Sequence, residues 1–465
     1  MDRKWGSAHI WQGNHAPKYS KARIYLRGGL SQTLTEVDMK DRGAQPKPVK
    51  PGATIRTTAW SLVPSRVRRL IYLTSFSSVA YGYLIIAITA YLPEAGMSSG
   101  DVGLLIGVNG LVFVVSAIPI GLLADRRGRK NIFLLGLLGI PPSIMVYAFT
   151  DDLNLLLIAA AIAGVSEGAF ASSWNALIAD MTTVVNRTQA FSISFIVGTA
   201  SFGIGFALPF LFPPIQNWLG ISSAEIHDYA FIFVALLSAL SPVLLWPMLR
   251  DYKEELKPRM ALIRGKSTGI LLKFSGVNGL LGLGAGFIIP LIPTWMLLKF
   301  GVTDAWSGPL LAASSISIGF AAIASTRLAA RFGMVKAVVL TQGTATIFML
   351  SLAFVPGAAM AAGIYLIRGA LMNMDVPILD SMLMGIITKE ERGFASALNS
   401  LLWRLPNSIT TVIGGRMLER GEYELPFFIA TGFYTLSIAL FYKIFRNVKV
   451  RDDDATDAEE ESTAV

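Results

Sequence analysis

The sequence predicts an all-α membrane protein with twelve transmembrane helices arranged as two six-helix pseudo-repeats. Of its 465 residues, 53% are hydrophobic and only 15% are charged, whereas soluble domains carry about 25% charged residues. From Leu70 onward, apolar runs of about 20 residues follow one another, each long enough to cross a bilayer as a helix. The predicted spans are 70–93, 101–123, 130–149, 154–180, 188–213, 228–249, 268–298, 305–326, 335–355, 358–386, 393–416 and 425–445.

A single offset of 205 residues relates the first set of helices to the second. It takes Gly103 to Gly308 and Gly128 to Gly333. An ungapped offset across four helices and their loops indicates duplication of a six-helix unit.

Charged loops divide the chain and set its orientation. Lysine and arginine are concentrated in alternate loops, and loops of this kind face the cytoplasm. An even number of helices then puts both termini in the cytoplasm of a multi-pass plasma-membrane protein. The predicted organisation is a basic tail, a first half, a cytoplasmic linker, a second half and an acidic tail, at residues 1–69, 70–249, 250–267, 268–446 and 447–465.

Composition also excludes several kinds of chemistry and partner. The chain has no cysteine, so disulfides and thiolate catalysis are excluded. Its net charge of +9 comes from the tail 1–69, which we expect to be disordered and to face anionic lipid; nucleic acid is therefore not an expected partner. His9, His15 and His227 all lie outside the long apolar runs, which argues against a histidine metal site or proton relay within the membrane.

The loop between the second and third spans carries a distinctive motif. The stretch GLLADRRGRKNIFL, residues 121–134, holds five charges in six residues, so it must lie at the membrane surface. It resembles, position for position, the signature loop G-x-L-A-D-R-x-G-R-K-x-x-L of the major facilitator superfamily. We call it the signature loop, and the residues assigned to gating are Gly121, Asp125, Arg126, Gly128, Arg129 and Lys130.

The resemblance implies a twelve-helix transporter that works by alternating access. It also implies that Asp125, Arg126 and Arg129 form a cytoplasmic charge relay that stabilises the outward-facing state. Gly121 and Gly128 would allow close helix approach and a tight turn. The alternative is that the basic residues only anchor the loop in the cytoplasm. In the second copy of the loop alanine replaces the acid, which predicts an asymmetric lock that is stronger in the first half.

Several charged residues are predicted to lie near the membrane midplane, on the fourth, tenth and eleventh spans. Charges at this depth are costly and are therefore functional candidates. In the family that the loop resembles, the first, fourth, seventh and tenth helices line a central cavity, so these side chains are expected to face substrate and protons. The cavity candidates are Glu167, Arg368, Asp375, Arg404, Asn109 and Asn175.

The carboxylates within the membrane differ in their expected neighbours. A carboxylate far from any cation takes up a proton more readily than one beside an arginine. Glu167 has no cation in its own helix, whereas Asp375 has Arg368 seven residues away and Arg404 at a similar depth. We therefore predict that Glu167 carries protons and that Asp375 belongs to an ion-pair network. The alternative is that all these charges form static pairs between helices.

Some features of the family's proton-driven members and drug antiporters are missing from the sequence. Gly164 stands where many of them have an arginine, four residues before Gly168, and the fifth span lacks the ending G-P-x-x-G-G of drug antiporters. The sequence has no phosphate-binding loop G-x-x-x-x-G-K-[ST], which favours a gradient over ATP as the driving force. It shows no nucleophile–base or metal-ligand constellation, so we do not expect an enzyme.

The predicted function is secondary active transport of a small organic solute, coupled to protons, with efflux of a drug or metabolite favoured. A symporter or facilitator that takes up an anionic metabolite, bound by the cavity arginines, is the alternative within transport. A non-transporting scaffold or sensor is the alternative of another class, because a fold does not dictate function. We expect a monomer without cofactors whose partners are substrate, protons and membrane lipid.

Overall fold

The computed structural model describes residues 62–252, 267–387 and 392–448. Within these ranges the chain forms helices and no strand, and twelve helical segments correspond to the twelve predicted spans. We label them α1 to α12 in chain order: Ser65–Glu94, Ser99–Arg127, Arg129–Val146, Leu153–Asp180, the run of Val184–Ala207, Leu208–Leu211 and Phe212–Leu219, Ser223–Leu249, Thr268–Phe300, Asp304–Phe332, Met334–Leu352, the pair Ala358–Asn373 and Val376–Ile386, Arg392–Glu419, and Leu425–Phe445.

The predicted all-helical fold is therefore confirmed. Among the described residues, eight helices are long and apolar enough by themselves to cross a membrane. Most of the predicted tails 1–69 and 447–465 and of the linker 250–267 lies outside the described residues, so the domain boundaries stay predictions.

Proline interrupts several of the helices. α5 and α7 each contain a short 3-10 turn that includes a proline. α10 stops after Asn373 and restarts at Val376, just before Pro377, because proline lacks an N–H and restricts the residue before it. The break places Asp375 at the N-terminal end of the second part of α10.

The backbone reproduces the offset of 205 residues. Gly128, between α2 and α3, and Gly333, between α8 and α9, have φ angles of 98° and 79°, which glycine adopts without steric cost. The hydroxyl of Thr294 donates to the backbone oxygen of Thr89 at 2.5 Å, and these two residues are also 205 apart. The equivalent helices α1 and α7 therefore meet at equivalent positions.

The two halves, α1–α6 and α7–α12, meet mainly at the end opposite the signature loop. We call this end the sealed side and the other end the loop side. At the sealed side α2 and α11 lie so close that a Cβ on Gly103 would stand 2.7 Å from a backbone oxygen of α11, and a Cβ on Gly308 would collide with a backbone oxygen of α5. Because these glycines are equivalent by the offset, the halves close symmetrically.

The buried apolar residues form one cluster that both halves share and another that lies within the second half. The largest cluster extends across both halves and includes Tyr83, Phe231 and Trp295, none more than 1% exposed. A second cluster, around Phe274 and Phe445, belongs to the second half alone. The shared core thus stabilises the sealed side, while the loop side of the second half packs separately and leaves space between the halves.

Candidate functional site

Within the signature loop, only Gly128 lies outside a helix. α2 ends at Arg127, α3 begins at Arg129, and Gly128 between them has a φ of 98° and a ψ of 131°. The N–H of Gly128 donates to the backbone oxygen of Ala124 at 3.0 Å. The tight turn predicted at Gly128 is therefore present.

The cations of the signature loop bind the ends of neighbouring helices in the same half. Arg129 Nη1 lies 3.1 Å from Asp180 Oδ2 at the end of α4. Lys130 Nζ donates to the backbone oxygens of Arg250 and Tyr252, just after α6, at 3.4 and 3.5 Å. Cations are stabilised at helix C-termini, where backbone carbonyls lack intrahelical partners. In this conformation the loop thus joins α3 to α4 and α6.

The remaining residues of the signature loop that were assigned to gating are Asp125, Arg126 and Gly121. The side chain of Asp125 lies outside the part of the structure that is described, so its place in a charge relay stays a prediction, and the side chain of Arg126 is exposed. A Cβ on Gly121 would meet its nearest atom, in Ser172, at 3.7 Å, which is an ordinary contact. The close helix approach predicted at Gly121 is therefore absent. It occurs instead at Gly164 of α4, where a Cβ would collide with the backbone of α2, and this explains why no arginine stands there.

Three pockets in the described part of the chain include Glu167 or Arg404 in their linings: one lies between the halves, one is lined by the first half, and one is lined by the second half with Phe113. An inner pocket of about 350 Å³ lies toward the sealed side, lined mainly by apolar side chains of α1, α2 and α4 with Pro290 of α7. Nearer the loop side, a first-half pocket of about 340 Å³ is lined by residues that include Phe170 and Trp174. A second-half pocket of about 550 Å³ has a more polar lining of amide and charged side chains. Their volumes suit a small organic molecule.

Glu167 of α4 and Arg404 of α11 form an ion pair between the halves, where the three pockets meet. Glu167 Oε2 lies 2.7 Å from Arg404 Nη2. Glu167 lines the inner and first-half pockets, and Arg404 lines the inner and second-half pockets. The two side chains are 23% and 31% exposed. A solute that enters the cavity can therefore reach both partners of the pair.

Neighbouring side chains orient this pair. The hydroxyl of Tyr81 donates to Glu167 Oε2 at 2.8 Å and lies 3.4 Å from Asn109 Oδ1. The guanidinium of Arg404 stacks over Phe113 at 4.1 Å from the ring centroid, a favourable cation–π distance. Because the hydrogen bonds to the carboxylate are charge-assisted, they give Glu167 a defined position when Arg404 is paired with it.

Arg368 of α10 is buried in the wall of the second-half pocket and is 4% exposed. Its Nη2 donates to the hydroxyl of Tyr434 at 2.7 Å. Within the described structure its buried Nε has no hydrogen-bond partner. An unsatisfied donor on a buried guanidinium is costly, so Arg368 keeps one unused hydrogen-bond donor in the described structure.

Asp375 is 1% exposed and has a neutral partner. Its Oδ2 accepts a hydrogen bond from Gln342 Nε2 of α9 at 2.5 Å. Among the described residues no cation lies within ion-pair distance of it. The predicted arrangement of charges is therefore reversed, since Glu167 is the paired carboxylate and Asp375 the one without a cation. The reason is that α11 packs on α2, beside α4, which brings Arg404 to a partner 237 residues away.

All six cavity candidates line one of these pockets. Asn109 lines the inner pocket, and its Nδ2 donates to the backbone oxygen of Ala160 at 3.3 Å. Asn175 lines the first-half pocket. Arg368 and Asp375 share the second-half pocket with Arg404. Their roles in binding substrate or protons stay proposals.

One polar pair was missed by the sequence analysis. His227 of α6 is 1% exposed, and its Nε2 lies 2.8 Å from Asp304 Oδ2 of α8, across the sealed side. His227 lies just before the apolar run of its span, so the sequence does not indicate that it has a polar partner within the membrane. Only its position at a predicted helix start, at the same end as Asp304, could have indicated the pairing.

Two six-helix halves that enclose a solute-sized cavity, closed at one side and bridged at its centre by an ion pair, define a membrane transporter. The chain belongs to the Major Facilitator Superfamily, whose family model matches residues 70–273 and 274–464. The two matches fall on the two structural halves, which confirms the pseudo-repeat. The protein is therefore a transporter rather than an enzyme, and this membership does not favour the scaffold or sensor alternative.

Individual relatives are distant. The chain is 30% identical over 215 residues to the inner membrane transport protein YajR of Escherichia coli, covering 45% of this chain and 44% of YajR. It is 25% identical over 375 residues to multidrug resistance protein 1 of Bacillus subtilis, covering 77% of this chain and 90% of that protein. A bacterial homologue of the human lysosomal transporter Spinster, inward-facing and occupied, shares the fold with a TM-score of 0.64 at 14% identity, covering 82% of this chain and 96% of that chain.

Proposed function

We propose that the protein exports small organic solutes across the cell membrane in exchange for protons, with Glu167 as the proton-carrying group. Although Glu167 is paired with Arg404, it is accessible from the cavity and can exchange that partner for a proton, whereas Asp375 is buried. The observation that carries the proposal is the ion pair of Glu167 and Arg404, which joins the halves inside the cavity. The three pockets meet at this pair. The carboxylate of Glu167 can therefore bind a proton, a cargo molecule or Arg404 of the other half.

We assign the loop side to the cytoplasm, because lysine and arginine are concentrated in the loops of that side. The conformation is then inward-facing, with the cavity reached from the cytoplasm and the external side sealed. This is also the state named for the structure of the Spinster homologue.

The ion pair explains how movement of the empty transporter would be restrained. While Glu167 is ionised and paired with Arg404, the two halves are linked at the cavity centre. A proton on Glu167 removes the negative charge that attracts the guanidinium, and a cationic cargo can take the place of Arg404. Glu167 cannot bind a proton and a cationic cargo at the same time. The cargo would therefore be carried out when the transporter changes to its outward-facing state, and a proton would be carried in when it returns to the inward-facing state.

The walls of the cavity support an amphipathic cargo. Phe113, Phe170, Trp174 and Phe202 line the pockets around the ion pair. Aromatic side chains bury large apolar areas of a ligand, while Glu167 offers a single charged contact. The B. subtilis relative is named as a multidrug resistance protein, which supports efflux over uptake.

Uptake of an anionic metabolite by symport or facilitation is a second candidate, favoured by Arg368. Its Nε is buried and unused, and it lines the same pocket as Arg404. A carboxylate bound between these two guanidiniums would use charge-assisted hydrogen bonds. The test must therefore include an anionic solute.

Transport in proteoliposomes with an imposed proton gradient tests the proposal. The probes are tetraphenylphosphonium, a lipophilic cation, and benzoate, a carboxylate. We expect wild-type protein to move the cation against the direction of proton flow, and Glu167→Gln to lose at least about tenfold of the gradient-driven rate, since it can no longer exchange a proton. Glu422→Gln, a carboxylate outside the cavity, should behave as wild type.

Two results would overturn the export mechanism. The first is gradient-driven cation transport that persists in Glu167→Gln. The second is benzoate movement in the same direction as protons, abolished by Arg368→Gln, with no movement of the cation. The second result would establish the uptake alternative.

A further inference from the structure

The sealed side contains a buried acid–base pair that the export mechanism does not use. His227 belongs to α6 of the first half, and Asp304 is the first residue of α8 in the second half. Their side chains are 2% and 7% exposed. We call His227 and Asp304 the sealing pair. Beside it, Glu94 Oε2 of α1 lies 3.5 Å from the backbone nitrogen of Asp304 and accepts its hydrogen bond.

Both ring nitrogens of His227 face oxygen atoms. Nδ1 lies 2.7 Å from the backbone oxygen of Ser223, and Nε2 lies 2.8 Å from Asp304 Oδ2. A carbonyl oxygen can only accept, so Nδ1 must carry a hydrogen. A neutral imidazole has only one N–H, so Nε2 either is protonated and donates to an ionised Asp304 or accepts from a protonated one. In both cases the pair holds one proton more than a neutral imidazole and a carboxylate kept apart.

The surroundings contain no competing cation among the described residues. The ring of Tyr91 stacks on the imidazole with 3.5 Å between centroids and 4° between planes, a geometry that suits an imidazolium over a π face. The titratable groups around the sealing pair and its neighbours are Tyr83, Tyr91 and Glu94 of α1, Asp151 before α4, and Glu225 and Asp228 of α6.

We propose that the sealing pair is a proton-binding site, filled while the sealed side is closed and emptied when that side opens. Opening separates the two halves, and therefore separates α6 from α8. Each side chain then meets water instead of its partner, so the contact that holds the shared proton is lost and the proton is released. At neutral pH the opened form therefore holds one proton fewer than the closed form.

This proton is distinct from any proton carried by Glu167, because it enters and leaves on the same side. Its effect is to make closure depend on the pH of that compartment. Since the closed form binds the extra proton, acidification favours closure and a rise in pH favours opening. One proton changes the ratio of closed to open molecules by at most about tenfold per pH unit. The inference rests on alternating access but not on export, proton coupling or any cargo.

Distances between two spin labels measure the closure directly. The chain contains no cysteine, so Asn217→Cys at the end of α5 and Arg420→Cys after α11 give one exposed label on each half at the sealed side. The purified full-length protein in lipid nanodiscs would be measured by double electron–electron resonance from pH 5 to pH 9. We expect the short-distance population to grow as pH falls, approaching a tenfold change in ratio per unit on the alkaline side.

His227→Gln is the critical variant, because glutamine can still donate to Asp304 but cannot take up a proton. We expect its distance distribution to lose the pH dependence, and Asp304→Asn to lose it as well. Thr294→Val is the matched control: it removes a neutral hydrogen bond of the same seal, so it should lower the closed population at every pH and keep the slope. Glu94→Gln should also keep the slope.

The proposal is overturned by a wild-type profile that does not change with pH, or by His227→Gln following the wild-type profile. It also fails if Glu94→Gln removes the slope, because the proton would then belong to that carboxylate. A transporter that moves no cargo in liposomes would contradict the export mechanism and leave this distance measurement valid.

Discussion

In the described part of the chain, two acid–base pairs join the halves of this transporter, and they differ in exposure and in chemistry. Glu167 and Arg404 lie within the cavity and are 23% and 31% exposed, whereas His227 and Asp304 are almost completely buried at the sealed side. A guanidinium stays charged at any physiological pH. The pair in the cavity therefore breaks only when Glu167 binds a proton or when a solute replaces one of the two partners. The sealing pair can also break when the proton between its two side chains is lost. An accessible pair suits exchange of partners, and a buried one suits stabilising one conformation.

The strongest test of this contrast reverses one charge in the cavity. Arg404→Glu places two carboxylates where a pair stood, so the halves repel each other at the cavity centre. Breaking a buried pair costs about 3–5 kcal/mol, and the partial exposure here reduces that figure. We expect transport in proteoliposomes to fall by at least about tenfold. The double variant Glu167→Arg, Arg404→Glu should recover part of it, and a double variant no better than the single one would contradict a direct pairing.

Closure of the sealed side can be prevented without changing any charge. Gly103→Ala puts a methyl group 2.7 Å from a backbone oxygen of α11, and backbone cannot move aside without separating the helices. We expect the short-distance population of the spin-label pair to fall severalfold at every pH, with the pH slope retained. Gly121→Ala is the matched control, because its nearest atom lies at 3.7 Å. Equal effects of the two substitutions would contradict the closure described here.

The sealing pair should contribute more to stability than the neutral hydrogen bond between Thr294 and Thr89. His227→Ala leaves the carboxylate of Asp304 buried without its partner, and such losses cost about 3–5 kcal/mol. Thr294→Val removes a neutral hydrogen bond worth about 1 kcal/mol. Thermal unfolding in detergent at pH 6 should therefore show a clearly larger fall in Tm for His227→Ala. Similar falls would mean that the sealing pair acts only as an ordinary hydrogen bond.

The smallest effect is expected at the signature loop. Arg129 and Asp180 are 23% and 26% exposed, and partly exposed pairs contribute less than about 1 kcal/mol. Asp180→Asn should therefore lower Tm only slightly in the loop-side-open conformation. We also expect to compare the transport rate of Asp180→Asn with that of the wild type. A large loss of transport together with a small fall in Tm would mean that the signature loop acts mainly in the state in which the loop side is closed.

Hydropathy and charge along the chain locate the residues of the cavity, but they do not show which of these residues pair. Glu167, Asp375 and Arg404 were expected near the midplane because a charge within an apolar span is costly and needs a reason to be there. Depth along a helix follows from counting residues, but the direction of a side chain around the helix axis does not. That is why Arg404 was assigned to Asp375 and in fact pairs with Glu167. Glycines were misjudged similarly, since the close approach lies at Gly164 and not at Gly121.

The sequence alone determined the twelve helices, the duplication and the family, because span length, repeat offset and the signature loop are properties of the chain itself. Tertiary structure decided which side is closed, which carboxylate is paired and that His227 meets Asp304. The physical reason is that helices in lipid are apolar on most faces, so hydrophobicity predicts that a segment spans but barely indicates which face meets which neighbour. Close packing at glycines such as Gly103 selects those faces, and the ion pairs follow from that selection.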